Sequence, residues 1–405
     1  MSPKAASSFL VRSWYKGTFQ STIFSCEKED FPTVNETETA KAFTEIETVA
    51  LDDADSAIVI CDQTRLPAEC TAVSLHTQKE IHDAIYRLMV RGAPAIGITA
   101  GMAYYLAAKE HLTNAPDLSS AALTDLLVKD KAYMASARPT AVNLFWALDR
   151  MERVYLSVKE RPHAEILSVL RAECEEIKAE DIRVCRAIGE HGLTLVKPGD
   201  GILTHCNAGR LAAAKYGTAT APIYLGEERG YHFHVYADET RPLLQGARLT
   251  AYELHHAGVD VTLICDNMSA SVMKQGLVQA VFVGCDRVAA NGDTANKIGT
   301  SVVACVAKEY GVPVYVCAPT ATIDMTCASG AQIPIEQRRP EEVTEMWYQT
   351  KMAPDGVKVY NPAFDVTDHS LIAGIVTEYG IARPPYREAF QAIFAEKEQK
   401  QKEKH

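Results

Sequence analysis

From Thr77 to His111 and from Leu118 to Val169, apolar residues recur three and four positions apart with brief interruptions. That period predicts a mainly helical first part. Ala179 to Leu195 reads as another helix, stopped by Lys197-Pro198-Gly199-Asp200. The pattern then changes. Short β-branched runs follow one another: GILTH (Gly201–His205), YHFHVYA (Tyr231–Ala237), VTLIC (Val261–Cys265), AVFVGC (Ala280–Cys285) and VPVYVCA (Val312–Ala318). Helical stretches at Gln245–His256, Ser269–Lys274 and Lys297–Tyr310 lie among them. Such alternation predicts a parallel sheet with helices on both faces, a doubly wound α/β domain.

Outside these regions the periodicity weakens. Phe24 to Asp55 is acidic and reads as a surface loop or insertion, followed by a β-like run at Ala57–Cys61. Glu396 to His405 (EKEQKQKEKH) reads as a solvated helical tail or a disordered end. The expected organisation is an N-terminal segment over 1–55, a mainly helical domain over 56–195, an α/β catalytic domain over 196–388 and a charged tail over 389–405.

With 405 residues, of which 47% are hydrophobic and 23% charged, the chain has ordinary globular usage, and two domains are the favoured count. A net charge of −11 argues against non-specific nucleic-acid binding, yet a local group of arginines could still hold a small phosphorylated ligand. Eleven cysteines, several inside apolar runs and none in C-x-x-C spacing, argue for a reducing compartment and against a zinc or redox site. No apolar stretch reaches the length of a membrane span. Trp14 and Tyr15 read as the opening of a folded element rather than as part of a transit peptide. A cytoplasmic protein is expected, with the nucleus also open for a eukaryotic source.

In an open parallel sheet, ligands bind beyond the carboxyl ends of the strands. There the sequence places Cys206-Asn207-Ala208-Gly209, Asp238-Glu239, Asp266-Asn267 and Asp286-Arg287. Any single Asp after a strand is an ordinary cap or turn former. Four such ends in succession, one bearing a thiol, point to chemistry. Cys206 stands before small residues that would open a helix, whose positive end would lower its pKa. Asp286, framed by apolar sequence, is a candidate for a raised pKa and so for a general acid. Three places suit an anion: Arg91-Gly92-Ala93-Pro94, Arg138-Pro139-Thr140, and Asn296-Lys297 at the expected start of a helix. Neither a Walker A loop nor a strand followed by G-x-G-x-x-G is present.

RGAPAIG (Arg91–Gly97), ARPTAVNLFWAL (Ala137–Leu148), THCNAG (Thr204–Gly209), ADETRPLLQGARLTAYEL (Ala237–Leu254), CDNMSA (Cys265–Ala270), GCDRVAANGDTANKIGT (Gly284–Thr300), IPIEQR (Ile333–Arg338) and YNPAFDVT (Tyr360–Thr367) together resemble the methylthioribose-1-phosphate isomerase family. The resemblance runs from about Asp62 to Gly380. It implies a Rossmann-like C-terminal domain, an active site between the domains, and a cofactor-free isomerisation of 5-methylthioribose 1-phosphate to 5-methylthioribulose 1-phosphate in methionine salvage. It implies no metal. Cys206 and Asp286 match the family's catalytic thiol and acid. Arg91, Gly92, Ala93, Arg138, Gln245, Asn296 and Lys297 match its substrate-binding positions; Gln245 rests on the resemblance alone. A homodimer is implied.

The family's relatives include isomerases of ribose 1,5-bisphosphate and the silent regulatory subunits of the translation-initiation nucleotide exchange factor. Intact motifs around Cys206 and Asp286 speak against a silent subunit. The stretch after THCNAG departs from the isomerase pattern, with Arg210, Lys215 and Glu227-Glu228-Arg229 expected to add charge near the mouth of the site. That leaves 5-deoxyribose 1-phosphate and ribose 1,5-bisphosphate open as alternatives.

Overall fold

The computed structural model describes residues 47–139 and 141–403. The expectations for Trp14–Tyr15, for the acidic stretch before residue 47 and for Thr140 lie outside those residues.

The chain opens on a small antiparallel sheet of β1 (Val49–Asp52), β2 (Ala57–Cys61) and β3 (Ala72–Leu75). β1 corrects the loop expected up to Asp55: Val49 pairs with Ile60 and is buried, so four residues suffice once a partner strand supplies the hydrogen bonds. Five helices follow: α1 (Gln78–Tyr86), α2 (Ala93–Asn114), α3 (Ser120–Ala135), α4 (Val142–Val158) and α5 (His163–Leu193). Thr77 and Glu80 close a capping box on α1, and the Ser119 hydroxyl caps α3. Helix α2 is apolar around its whole circumference and is buried accordingly, packed by α4 and α5. The break expected between Val169 and Ala179 is absent, because α5 runs unbroken for 31 residues with Cys174 and Ile177 buried.

The second part is a seven-stranded sheet in the order β14-β13-β10-β7-β4-β5-β6. Its strands are β4 (Gly201–His205), β5 (His234–Asp238), β6 (Asp260–Ile264), β7 (Ala280–Val283), β10 (Val314–Cys317), β13 (Gly374–Thr377) and β14 (Gly380–Ala382). All neighbours are parallel except β13 and β14. Every residue of β4, β7 and β10 is buried, which is why these runs lack alternation. Helices α6 (Ala221–Glu228), α7 (Ala251–His256), α8 (Ser269–Lys274), α9 (Thr300–Glu309), α10 (Glu341–Thr344) and α11 (Tyr386–Lys402) connect or follow the strands. A four-stranded sheet, β11-β8-β9-β12, rises from the end of β7. It holds β8 (Arg287–Ala289), β9 (Thr294–Lys297), β11 (Ile323–Asp324) and β12 (Phe364–Thr367), none of which the periodicity shows.

The tail boundary at residue 389 needs moving. Helix α11 begins at Tyr386 and buries Phe390 and Ile393, so only its later turns are a solvated face. Along the sheet, β4, β5 and β6 proceed one way, and β7 then returns to the other side of β4. Chain direction therefore reverses between β4 and β7, where a crevice must open beyond their carboxyl ends. Among the described residues, no helix is long and apolar enough to cross a membrane.

Candidate active site

A cavity of about 430 Å³ opens at that crevice. Arg91, Gly92, Ala93, Arg138, Cys206, Gln245, Asp286, Asn296 and Lys297 all line it. The sequence-derived set thus converges on one place, although several of the local reasons differ from those expected.

Cys206 leaves β4 with φ +66°, a left-handed conformation unusual for a side chain with a Cβ. Two hydrogen bonds hold it there: its N–H donates to Thr240 Oγ1 at 2.8 Å, and its carbonyl accepts from Thr250 Oγ1 at 2.6 Å. Strain of this kind persists where the surroundings over-determine it. No α-helix opens behind Cys206; a 3-10 turn at Arg210–Ala212 comes first, and α6 begins only at Ala221. The thiol therefore receives no help from a helix dipole, contrary to the expectation from the small residues that follow it. Burial pushes the thiol up, and the charges of Lys297 and Arg91 pull it back toward the thiolate.

Asp286 is reached by solvent from the cavity but lies deep within the protein. Desolvation raises its carboxyl, opposed by Lys297, Arg138 and Arg91. Its backbone N–H donates to Ala295 O at 2.9 Å, tying the end of β7 to β9. Arg287 takes Asp324 as its partner at 3.7 Å, leaving Asp286 outside any pair with it. The other strand-end carboxylates do structural work. Asp238 is buried against His205 Nδ1 at 2.9 Å, and Asp266 accepts the N–H groups of Thr240 and Arg241 at 2.7 and 2.8 Å. His205, Asp238 and Asp266 are close enough to share an ion, yet these internal bonds already occupy Nδ1 of the ring and both Asp266 oxygens.

The anion end is built on α2. Gly92 caps the helix at φ +91°, and a Cβ there would stand 2.5 Å from the Ala212 backbone, so only glycine fits. Ala93 and Pro94 open α2 at the cavity wall, where the Ala93 N–H has no intrahelical acceptor and Pro94 has no N–H to satisfy. Arg91 donates from Nη2 to Asn207 O at 2.7 Å, while Nη1 is buried without a partner. Gln245 Oε1 is buried and likewise unpartnered. Gln245 precedes a π-helical turn (Gly246–Thr250) where an α-helix was expected; Gly246 lies so close to Asp238 O that a Cβ would clash at 1.6 Å. Lys297 Nζ donates to Ala363 O at 3.1 Å and sits over the Phe364 ring.

Asn296 and Lys297 end strand β9 and do not open a helix. Helix α9 starts at Thr300, and Asp365 already takes the N–H groups of Gly299 and Ser301 at its terminus. That helix end is spent on a carboxylate, so on this side of the cavity only the side chains of Asn296 and Lys297 are left for an anion. The cluster Glu227-Glu228-Arg229 also lies elsewhere. Helix α6 carries it from the crevice back toward the start of β5, and Arg229 pairs with Glu190 on the surface. Neither Arg210 nor Lys215 lines the cavity.

Two carboxylates escaped the sequence reading. Glu336, inside IPIEQR, lines the cavity. Glu253 lies beneath the loop after Cys206 and accepts the N–H groups of Arg210 and Leu211 at 3.1 and 3.0 Å. Gly209 is the available signal for Glu253, since a Cβ at that position would overlap the carboxylate. Burial raises the Glu253 carboxyl to about 7 from an ordinary 4.5. A folded-state pKa above the unfolded one means proton uptake on folding, so this group's contribution falls as pH rises from about 4.5 to 7. Urea titrations across that window should show a loss on the order of 1–3 kcal/mol from this source. A Glu253→Gln variant, whatever its absolute stability, should lack the slope; an unchanged slope would remove Glu253 as its origin.

The sequence pattern of the Initiation factor 2 subunit family matches residues 89–384. The methylthioribose-1-phosphate isomerase of Symbiobacterium thermophilum is 65% identical over 355 residues, covering 88% of this chain and 98% of that protein. A 5-deoxyribose 1-phosphate isomerase of Clostridium botulinum is 52% identical over 350 residues, covering 86% and 99%. The crystal structure of 5-methylthioribose 1-phosphate isomerase from Pyrococcus horikoshii superposes with a TM-score of 0.81 at 40% identity, covering 89% of this chain and 99% of that one.

Proposed function

The chain belongs to the Initiation factor 2 subunit family, alongside its methylthioribose-1-phosphate isomerases, and from that premise we propose how its cavity acts. It is an aldose–ketose isomerase that converts 5-methylthioribose 1-phosphate to 5-methylthioribulose 1-phosphate in methionine salvage. The observation that carries the assignment of residues is the pairing of an anion cradle with Cys206 and Asp286 in one cavity.

The C1 oxygen of the substrate is esterified, so the ring cannot open to a free aldehyde. Asp286, whose carboxyl desolvation shifts toward the protonated form, donates its proton to the ring oxygen as the ring opens. Hydrogen then moves from C2 to C1, either as a proton taken by the Cys206 thiolate or as a hydride shift assisted from the same position. Arg91, Arg138, Gln245, Asn296, Lys297 and the first turn of α2 hold the phosphate, the arginines through charged hydrogen bonds. Ile333, Ile335, Val142 and Phe364 supply apolar wall for the 5-substituent. Arg338 is engaged with Glu342 and Glu336, and Arg287 with Asp324, which disfavours a second phosphate at C5. A 5-deoxy sugar fits the same wall. We read the working protein as a cytoplasmic homodimer without nucleic-acid partners.

Arg138→Ala should raise KM by about 10–100-fold, corresponding to about 1.5–3 kcal/mol for hydrogen bonds to a charged group. An unchanged KM removes Arg138 from the phosphate site. The reaction is tested by a proton and phosphorus NMR time course with 5-methylthioribose 1-phosphate, 5-deoxyribose 1-phosphate and ribose 1,5-bisphosphate. Fastest conversion of the methylthio sugar supports the reading. Preference for another sugar keeps the mechanism and changes the substrate, and no turnover of any overturns the enzyme assignment.

A further inference from the structure

Glu336 is a negative charge inside a cavity built for an anion. Its place is fixed by backbone: Glu336 O accepts from Ala363 N at 2.9 Å, and Arg338 N donates to Asn361 O at 2.8 Å. Ala363 O in turn accepts from Ile298 N at 3.1 Å and from Lys297 Nζ at 3.1 Å. Glu336 therefore shares a frame with Lys297, and its charge is felt at both Arg138 and Asp286.

Arg338 does not neutralise it. Arg338 donates to Glu336 Oε1 at 3.1 Å, but its Nε and Nη2 are committed to the buried Glu342. One guanidinium between two carboxylates leaves a net negative charge, and Glu336 is the member that faces the cavity. A phosphate dianion would be repelled there, so this carboxylate belongs against the part of the substrate that carries hydrogen-bond donors. A pentose 1-phosphate offers hydroxyls at C2 and C3. The C2 oxygen becomes a carbonyl during the reaction and would then turn a lone pair toward the carboxylate. The C3 hydroxyl keeps its proton throughout.

We propose that Glu336 is a substrate-binding and specificity residue whose carboxylate accepts a hydrogen bond from the C3 hydroxyl of the sugar. Arg338 and Glu342 set its orientation. The inference rests on the pentose 1-phosphate reading above. It adds a charged acceptor, which none of the phosphate-binding residues supplies.

The test compares kcat/KM for 5-methylthioribose 1-phosphate and its 3-deoxy analogue in wild type, Glu336→Gln and Glu336→Ala. Wild type should prefer the hydroxylated sugar by about 10–100-fold, the range for a hydrogen bond to a charged acceptor. In Glu336→Ala the preference should collapse to within about threefold, with Glu336→Gln between, because a neutral acceptor forms the weaker bond. Competitive inhibition by inorganic phosphate should be no weaker than in wild type, because Glu336 holds no phosphate and its removal only takes a negative charge from the cavity, and urea midpoints identify any variant that has lost its fold. A preference retained in both folded variants overturns the proposal, as does equal loss on the two sugars. A wild type inactive on the methylthio sugar but active on another pentose 1-phosphate overturns the functional reading alone. The same 3-deoxy comparison on the accepted sugar then decides Glu336.

Discussion

Asp286→Asn is expected to lower kcat by about 10²–10⁴-fold, the usual contribution of a positioned general acid. Asparagine keeps the shape of the side chain and the hydrogen bond from the Asp286 backbone to Ala295, so the end of β7 should stay where it is. The substrate dissociation constant carries separate information. Desolvation favours the protonated carboxyl; in that form the residue is neutral, and replacing it with a neutral amide leaves the charge of the cavity unchanged. Affinity for the sugar phosphate should then match wild type near neutral pH. If Asp286 were ionised, its removal would relieve repulsion of the phosphate, and the variant would bind more tightly. Calorimetric titration beside single-turnover kinetics reads both quantities. Turnover near the wild-type rate would end the general-acid assignment, and tighter binding would show that the resting carboxyl holds no proton.

Cys206→Ser should cost about 10²–10⁴-fold in kcat if the thiolate removes the C2 proton, because serine cannot ionise under these conditions. The substitution is conformationally mild. Serine accepts a left-handed backbone about as readily as cysteine, and the bonds to Thr240 and Thr250 use only main-chain atoms of residue 206. Loss of activity therefore reports chemistry and not a collapsed loop. Wild-type turnover in deuterated water completes the measurement. Solvent deuterium at C1 of the product would establish a proton route through a base. Full retention of the C2 hydrogen favours a hydride shift, in which Cys206 assists without carrying the proton. Normal turnover of Cys206→Ser would remove the thiol from either route.

These expectations depend on features of unequal visibility in the sequence. The runs that make β4, β7 and β10 are continuous and apolar because both faces of the sheet are covered there, while β5 and the exposed edge strand β6 show as β-branched and aromatic runs between turns. The strand-end rule then points to Cys206 and Asp286 before any coordinates exist. What it lacks is the order of the strands. Asp238 and Asp266 satisfy the same rule, but β5 and β6 lie on the far side of β4 from β7, and their carboxylates go to His205 and to the Thr240–Arg241 backbone. Only the reversal between β4 and β7 separates the chemical pair from the structural one.

The second sheet was illegible for a physical reason. Its strands are two to four residues long, too short for a period to register, and exist because each finds a partner remote in the chain. Asn296 and Lys297 consequently read in sequence as a helix start, although they close a strand. The same shortness hid Glu336, whose place is set by Ala363 and Asn361 more than twenty positions away.

The sequence by itself determined the helical first part, the parallel sheet, the thiol and carboxyl at strand ends, and a cation beside the glycine turn Arg91-Gly92-Ala93, since each is written in neighbouring residues and local periodicity. Tertiary structure alone decided which of four carboxylates reaches the cavity, which helix terminus stays open to an anion and which is filled by Asp365, and where burial raises Asp286 and Glu253. Those outcomes depend on distances between segments far apart in the chain and on how much water their packing excludes, and neither quantity is carried by residue order.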